Sequence, residues 1–104
     1  MRSETRPQFA KTPGVLNLTL VAANTEYSQE LPDGLVYAEI HARQAVDVRV
    51  AWATGAVAAG AAAFFTMKSG DRLIIRNAKL ITNRTIYMAS SNAGTVVEFL
   101  TWSV

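Results

Sequence analysis

The sequence predicts an all-β fold, an antiparallel β-sandwich of about eight short strands with an extended N-terminal arm. Apolar and polar residues alternate with a period of two in segments between Leu16 and Trp102. Turn residues separate these segments, several at spacings of roughly 8–12 residues, as in sandwiches and barrels. No segment combines helix caps with a 3.6-residue apolar stripe. With 104 residues, the chain suits one domain, and we expect a jelly-roll-like sandwich.

The predicted domain organisation is an extended arm over residues 1–14 and a β-sandwich over residues 15–104. The arm contains two of the three Pro and few large apolar side chains. It also holds three of the ten Lys and Arg and one of the eight Asp and Glu, so the rest of the chain carries seven of each sign. Because the net charge of +2 lies in the arm, the sequence argues against a nucleic-acid partner.

The first two strands are predicted from "VLNLTLV" and, more weakly, from "TEYSQEL". Leu16, Leu18 and Leu20 alternate with polar residues, which indicates a half-buried strand. The second segment ends at a Pro-Asp-Gly tripeptide, residues 32–34, where Pro fixes φ and Gly accepts positive φ.

Two further strands are predicted from "VYAEIHAR" and "VDVRVAW". The residues expected to face inward are Val36, Ala38, Ile40 and Ala42 in the former and Val46, Val48, Val50 and Trp52 in the latter. A hairpin between them would use residues 44–46 as its loop and place Arg43 opposite Asp47. The alternative, that the two strands belong to different sheets, stays open.

The Ala-rich stretch from Ala53 to Phe65 is predicted to be a long connection between strands. A membrane helix is not expected, because the 18 residues between Arg49 and Lys68 are mainly Ala and Gly. Gly residues at 55 and 60 would each destabilise a helix by about 1 kcal/mol. Such a loop either contacts a partner, for example through Phe64 and Phe65, or is a surface loop without a binding role.

The remaining strands are "AAFFTM", "DRLIIR", "TIYMAS" and "TVVEFLTW", with turns at 68–70 and at "SNAG". Both faces of the last strand are partly apolar. Val97 and Phe99 lie on one face, and Val96, Leu100 and Trp102 on the other. A sandwich buries one face of each strand in its own core, so we expect the other to meet a loop or another subunit. Trp102 is the candidate interface anchor.

No catalytic, metal or cofactor site is predicted. His41 is the single histidine and there is no Cys, so the usual metal-ligand spacings are missing, and His41 is expected to be a solvated surface residue. The carboxylates are scattered and no nucleophile motif is present. We therefore expect a protein that is not an enzyme.

A basic segment runs from residue 68 to residue 84. Its cations are Lys68, Arg72, Arg76, Lys79 and Arg84. It is either a ribbon for an acidic partner or a set of charges that solubilise an exposed sheet face. The second interpretation is favoured, since no aromatic residues alternate with the charges.

Four segments, "AANTEYSQELPDG", "YAEIHARQAVDVRVAW", "GDRL" and "IYMASSNAGTVVEFLTW", together resemble a group of small phage virion proteins. That group combines a Tyr-Ser-x-x-Leu-Pro stretch, an Ala-Arg-x-x-x-Asp-Val-Arg strand, a small-residue loop and a closing "AGTVVE…W". The resemblance covers Val21 to Trp102. It implies a β-sandwich on the phage particle, foremost a capsid decoration (cement) protein.

The resemblance also implies partners and a location. The partners would be the major capsid protein or another virion protein, and further copies of the chain as a dimer or trimer. The protein would be made in the host cytoplasm and reside on the capsid surface, with no membrane partner. The candidate contact residues are Arg2, Arg6, Phe9, Lys11, Phe64, Phe65 and Trp102.

Two alternatives stay open. One is a different virion part, such as a head–tail adaptor, fibre or spike. The other is a small carbohydrate-binding module, for which Tyr37 and Tyr87 are the candidate aromatic platforms.

Overall fold

The computed structural model describes residues 12–58, 63–76 and 84–103, and these ranges form eight strands in two antiparallel sheets without a helix. The predicted all-β, sandwich-like fold class is thereby confirmed. The strands are β1 (Thr12–Leu20), β2 (Tyr27–Glu30), β3 (Leu35–Ala42), β4 (Val48–Ala51), β5 (Phe65–Met67), β6 (Arg72–Arg76), β7 (Thr85–Ala89) and β8 (Thr95–Ser103).

Each sheet has four strands. Sheet A has the order β1-β8-β3-β6, and sheet B has the order β2-β7-β4-β5. Consecutive strands therefore lie in opposite sheets, except β4 and β5, which pair with each other. In sheet A the last strand lies between β1 and β3, with Phe99 opposite both Leu16 and Ile40.

The core lies between the sheets and includes most of the inward residues predicted from the alternation. The prediction for Val36 was wrong: Leu35 is fully buried instead and Val36 is half-exposed, because the register of β3 shifts between Leu35 and Tyr37. From sheet A, Leu20, Ile40, Val97 and Phe99 are fully buried; from sheet B, Val48, Ile86 and Met88 are fully buried. Burial of each large apolar side chain stabilises the fold by about 1.5–3 kcal/mol. In β1, Leu16 and Leu18 pack against this core but remain half-exposed, because β1 is at the edge of its sheet.

The first strand begins earlier than predicted. Thr12 pairs with Ser103, and Gly14 pairs with Thr101, so the last three residues assigned to the arm are strand residues. The rest of the predicted arm, residues 1–11, lies outside the described residues.

The hairpin between β3 and β4 was wrong, and the alternative is correct, since the two strands lie in different sheets. Arg43 does not face Asp47; its Nε donates to Glu98 Oε2 at 2.8 Å, whereas Asp47 accepts from Lys68. The connection between β3 and β4 is attached to β8 by the Gln44 side chain, whose Oε1 accepts from the Val96 N–H at 2.9 Å. Alternation assigns faces but does not choose the neighbouring strand.

The prediction that Trp52 faces the core was also wrong. Strand β4 ends at Ala51, and the Trp52 side chain is 39% exposed. The chain turns away from the sheet there, so the period of two no longer determines the direction of the side chain.

The Ala-rich connection is confirmed as a link between strands, because residues 52–64 join β4 to β5. Its first part is ordered by specific contacts. Ala56 and Val57 are buried in a small cluster with Ala51, Ala89 and Tyr87. The Glu26 carboxylate accepts hydrogen bonds from the Thr54 hydroxyl and the Gly55 N–H, both at 2.8 Å. Gly55 has φ of 85°, a conformation that glycine adopts without strain.

Candidate interaction surfaces

The outer face of sheet A is formed by alternate residues of its four strands, in three rows that follow the strand register. The rows are Pro13–Trp102–Tyr37–Arg76, Val15–Leu100–Glu39–Ile74 and Asn17–Glu98–His41–Arg72. We call this set the outer face. It combines apolar and aromatic side chains with polar and charged ones.

The charged part of the outer face is organised around two carboxylates. Glu98 accepts from Arg43 Nε at 2.8 Å, and His41 Nε2 lies 2.8 Å from its other oxygen. The hydrogen bond from Arg43 holds the pKa of Glu98 below its ordinary value. The His41 side chain is 51% exposed, so the predicted surface histidine is confirmed.

The second carboxylate, Glu39, links the charged and aromatic parts of this face. It accepts from the Tyr37 hydroxyl at 2.9 Å and from Arg72 at 2.8 Å. The hydrogen bond to Glu39 raises the pKa of Tyr37, because the carboxylate stabilises the protonated phenol.

The apolar part of the outer face includes Val15, which is 68% exposed, together with Ile74, Leu100 and Trp102. On the other side of β8, Thr95, Val97, Phe99 and Thr101 are buried in the core. The expectation that only one face of β8 fills the core of its own sandwich is thereby confirmed. The described part of the Ala-rich segment packs on Ala51, Ala89 and Tyr87 instead of covering Trp102.

Sequence reasoning did not single out Val15 and Ile74 as candidate contact residues. A signal was present for both, since each alternates with inward leucines or isoleucines along its strand. Val15 and Leu100 border a depression of about 380 Å³ that is also lined by Glu39, His41, Arg72 and Glu98.

A second surface, the β4–β5 cleft, has a volume of about 560 Å³. The described residues that line it are Val50, Ala51, Trp52, Ala53, Ala63, Phe64, Phe65 and Leu73. Phe65 pairs with Val50 at the edge of sheet B, and the side chains of Phe64 and Phe65 are 37% and 49% exposed. The cleft is therefore an apolar opening at the edge of the sandwich.

The structure divides the predicted contact residues between these surfaces. Phe64 and Phe65 lie in the β4–β5 cleft beside Trp52, whereas Trp102 belongs to the outer face of sheet A. Arg2, Arg6, Phe9 and Lys11 lie outside the described residues.

The cations of the basic segment that the structure describes have partners. Lys68 bonds Asp47, Arg72 bonds Glu39 and Arg84 bonds Asp33, at distances of 2.7–3.0 Å. The Arg76 guanidinium lies 5.7 Å from the centre of the Tyr37 ring. Lys79 lies outside the described residues. These pairings neutralise much of the local positive charge, as expected of a solubilised sheet face.

Among residues 12–58, 63–76 and 84–103, no group of three His, Cys, Asp or Glu is arranged to hold a metal ion. The same ranges contain no helix of the length and apolarity that a membrane crossing requires.

Comparison of the chain with protein-family models, with curated proteins and with solved structures found no match.

Proposed function

We propose that this protein is a phage virion structural protein, a capsid decoration (cement) protein that binds and stabilises the capsid shell as a homo-oligomer. The observation that carries the proposal is the strand order, β1-β8-β3-β6 packed on β2-β7-β4-β5. We interpret this order as a jelly roll, in which two Greek keys wrap around each other, an architecture of viral capsid and lectin domains. The resemblance of Val21 to Trp102 to small phage virion proteins points to the same role.

The two interaction surfaces suit a protein that joins neighbours. A cement protein contacts both the shell and other copies of itself, so it needs more than one adhesive surface. The outer face of sheet A and the β4–β5 cleft are formed by different sets of residues, and both expose large apolar side chains. Contiguous apolar surface of this kind is typical of protein–protein contacts. We assign Trp102 to one contact and Phe64 and Phe65 to the other.

Residues 1–11 supply a third proposed contact. They join β1 at Thr12, at one edge of sheet A. Arg2, Arg6 and Lys11 would be attracted to an acidic capsid surface, an attraction that weakens as salt rises, and Phe9 would add apolar contact area.

The geometry gives little support to a carbohydrate-binding module. The Tyr37 ring is flanked by Trp102 and by the Arg76 guanidinium, and its hydroxyl bonds Glu39. Tyr87 packs against the small cluster of Ala51, Ala56, Val57 and Ala89. Neither ring is a free stacking platform.

The copy number of the protein in purified virions, measured by quantitative mass spectrometry, tests the proposal. A decoration protein follows the symmetry of the shell and is expected in on the order of hundreds of copies. A count of about six or twelve would instead indicate a ring in the neck or tail. Absence from the particle would overturn the virion role altogether.

A further inference from the structure

The edge of sheet A formed by β1 differs from the other three sheet edges. β1 is nine residues long, pairs with β8 along its whole length without a bulge, and contains no charged residue. The edge strands of sheet B, β2 and β5, have four and three residues, and β6 carries Arg72 and Arg76. Short strands and charges protect sheet edges from pairing with other chains. β1 has neither form of protection.

Two hydrogen bonds determine which backbone groups of β1 face the free edge. The Leu20 carbonyl accepts from the Gly94 N–H at 2.8 Å, so the backbone groups of Leu20 point towards the β8 side. In an antiparallel strand, successive residues direct these groups to opposite sides. Even-numbered residues of β1 therefore bond β8, and odd-numbered residues face outward.

The second hydrogen bond leads independently to the same assignment of even-numbered residues to the β8 side. The Val96 carbonyl accepts from the Arg43 N–H at 2.8 Å, so Val96 points towards β3. Its neighbour Val97 therefore points towards β1, where it is opposite Leu18, an even-numbered residue.

Val15, Asn17 and Thr19 consequently direct their N–H and C=O groups to the free edge. Pro13, which has no N–H, lies on the same side, the position that an edge strand tolerates. Within the part of the chain that the structure describes, no hydrogen bond reaches these outward groups.

We propose that this edge pairs with β1 of a second copy of the chain, antiparallel, about a two-fold axis at Asn17. In this register Asn17 lies opposite Asn17 of the second copy, and Val15 lies opposite Thr19 of the second copy. Every outward N–H in both copies then meets a carbonyl. Sheet A becomes one continuous sheet through both molecules.

The side chains of β1 support a second copy as the occupant. On the inner side, Leu16 lies opposite Leu18 of the second copy, and both leucines are only half-buried in the single chain. On the outer side, exposed Val15 meets the β-branched Thr19, a favourable cross-strand pair. The two Asn17 amides can donate to and accept from each other. No like charges face each other, because β1 has none.

The position of the axis is limited by Pro13 near the start of β1 and by the end of the strand at Leu20. Moving the axis from Asn17 to Val15 would place Pro13 opposite Asn17 of the second copy, where a hydrogen-bond donor would be missing. In the register centred on Asn17, the N–H groups of Val15, Asn17 and Thr19 are all paired, and Pro13 lies outside the paired region.

This inference refines the self-association within the proposed function and rests on that part alone, not on capsid binding. The test uses purified free protein and the Cys-free native sequence. In Asn17→Cys, the two thiols would lie on residues about 5.5 Å apart between Cα atoms, within the range of a disulfide. We expect rapid cross-linking by mild oxidation or by a short thiol-reactive linker.

Matched variants on the same strand control for random collision. The two copies of residue 19 would be displaced by four positions, roughly 13 Å along the strands, so Thr19→Cys alone should not form a disulfide, nor should Val15→Cys. The double variant Val15→Cys/Thr19→Cys should cross-link again. Equal cross-linking of the single variants, or none in Asn17→Cys, would overturn the proposal.

Light scattering of the native chain should give the mass of a dimer, and Asn17→Lys should halve that mass by placing like charges across the axis. Thr66→Lys on the β5 edge should leave the dimer intact.

A native monomer, a native trimer or a dimeric Asn17→Lys variant would each contradict the pairing. A dimer that forms only after deletion of residues 2–11 would show that this segment occupies the edge. None of these results changes the copy number in virions, so the two proposals fail separately.

Discussion

Tyr37 of β3 and Trp102 of β8 meet edge to face on the outer face of sheet A, with ring centres 5.3 Å apart and planes inclined by 64°. They are also directly opposite in the strand register. The Tyr37 hydroxyl bonds Glu39, and Arg76 lies above the ring. Trp102 is therefore part of the packing of its own sheet, as well as a proposed contact for a partner.

The aromatic pair should contribute measurably to stability. In a double-mutant cycle of Tyr37→Ala and Trp102→Ala, urea denaturation should give a coupling free energy of about 0.5–1.5 kcal/mol. Tyr37→Phe keeps the ring contact and removes the hydrogen bond to Glu39, so it should retain most of the coupling. Additive single effects would mean that the contact contributes nothing to the free energy of unfolding.

The core assignment predicts very different effects for two large aromatic residues. Phe99 is fully buried, so Phe99→Ala should lower the free energy of unfolding by about 3–5 kcal/mol. Trp52 is 39% exposed, and Trp52→Ala should cost clearly less, about 1–2 kcal/mol. Chemical denaturation measures both values. Equal decreases in the free energy of unfolding would indicate that Trp52 is a core residue.

Gly14 tests where β1 begins. A Cβ atom at this position would lie 2.9 Å from Thr101 Oγ1, and Thr101 is buried. Gly14→Ala should therefore destabilise the fold by about 1–3 kcal/mol through overpacking. Adding Thr101→Ala should make the Gly14 substitution less harmful than it is in the native background. A Gly14→Ala variant as stable as the native chain would indicate that residue 14 does not pack against Thr101 as part of β1.

Acid should weaken the contacts of Asp47. The Ser69 N–H, and then Lys68, hold the pKa of Asp47 below its ordinary value. Its contribution to stability is therefore present above the ordinary carboxyl pKa of about 4. It is lost as the pH falls through the lowered pKa of the folded state. Thermal unfolding between neutral pH and pH of about 2 should show a smaller acid-induced decrease in Tm for Asp47→Asn than for the native chain.

The neighbouring Asp71→Asn is the control for Asp47. It removes a carboxylate from the turn at residues 68–71, to which Asp47 bonds. No hydrogen bond to the Asp71 side chain occurs among the described residues. Its acid-induced decrease in Tm should match that of the native chain. Identical profiles for both variants would show that Asp47 does not stabilise the turn.

Deleting residues 2–11 should leave the sandwich folded and weaken its binding to capsids. The deletion stops before Thr12, because β1 begins there. Tm should change little, while occupancy on purified particles should fall. Replacing Arg2, Arg6 and Lys11 by Ala in the full chain should reduce the salt dependence of binding. Unchanged occupancy after deletion would remove residues 1–11 from the binding mechanism.

Period-two patterning predicted which side chains of a strand share a face and, for β1, which face is buried. Leu16, Leu18 and Leu20 in β1, and Val97 and Phe99 in β8, lie where the alternation put them, because a strand directs successive side chains to opposite faces. The pattern could not identify neighbours. Arg43 bonds a residue 55 positions away, and only long-range packing determines such a partner.

The candidate contacts were predictable to the same extent. Trp102 was selected as a candidate anchor because both faces of β8 are partly apolar. The association of Phe64 and Phe65 with Trp52 was not predicted, because alternation continued through Trp52 beyond the end of β4. Pattern alone does not show where a strand leaves its sheet.

The central place of β8 in sheet A also has a consequence for biosynthesis. Both β1 and β3 hydrogen-bond to β8, which is translated last among the eight described strands, so sheet A cannot form until residues 95–103 have been synthesised. Closing such distant segments is slow, since the long loops must lose their entropy first. A message truncated before codon 95 would yield a polypeptide whose β1 and β3 have no strand between them, a natural target for host proteases.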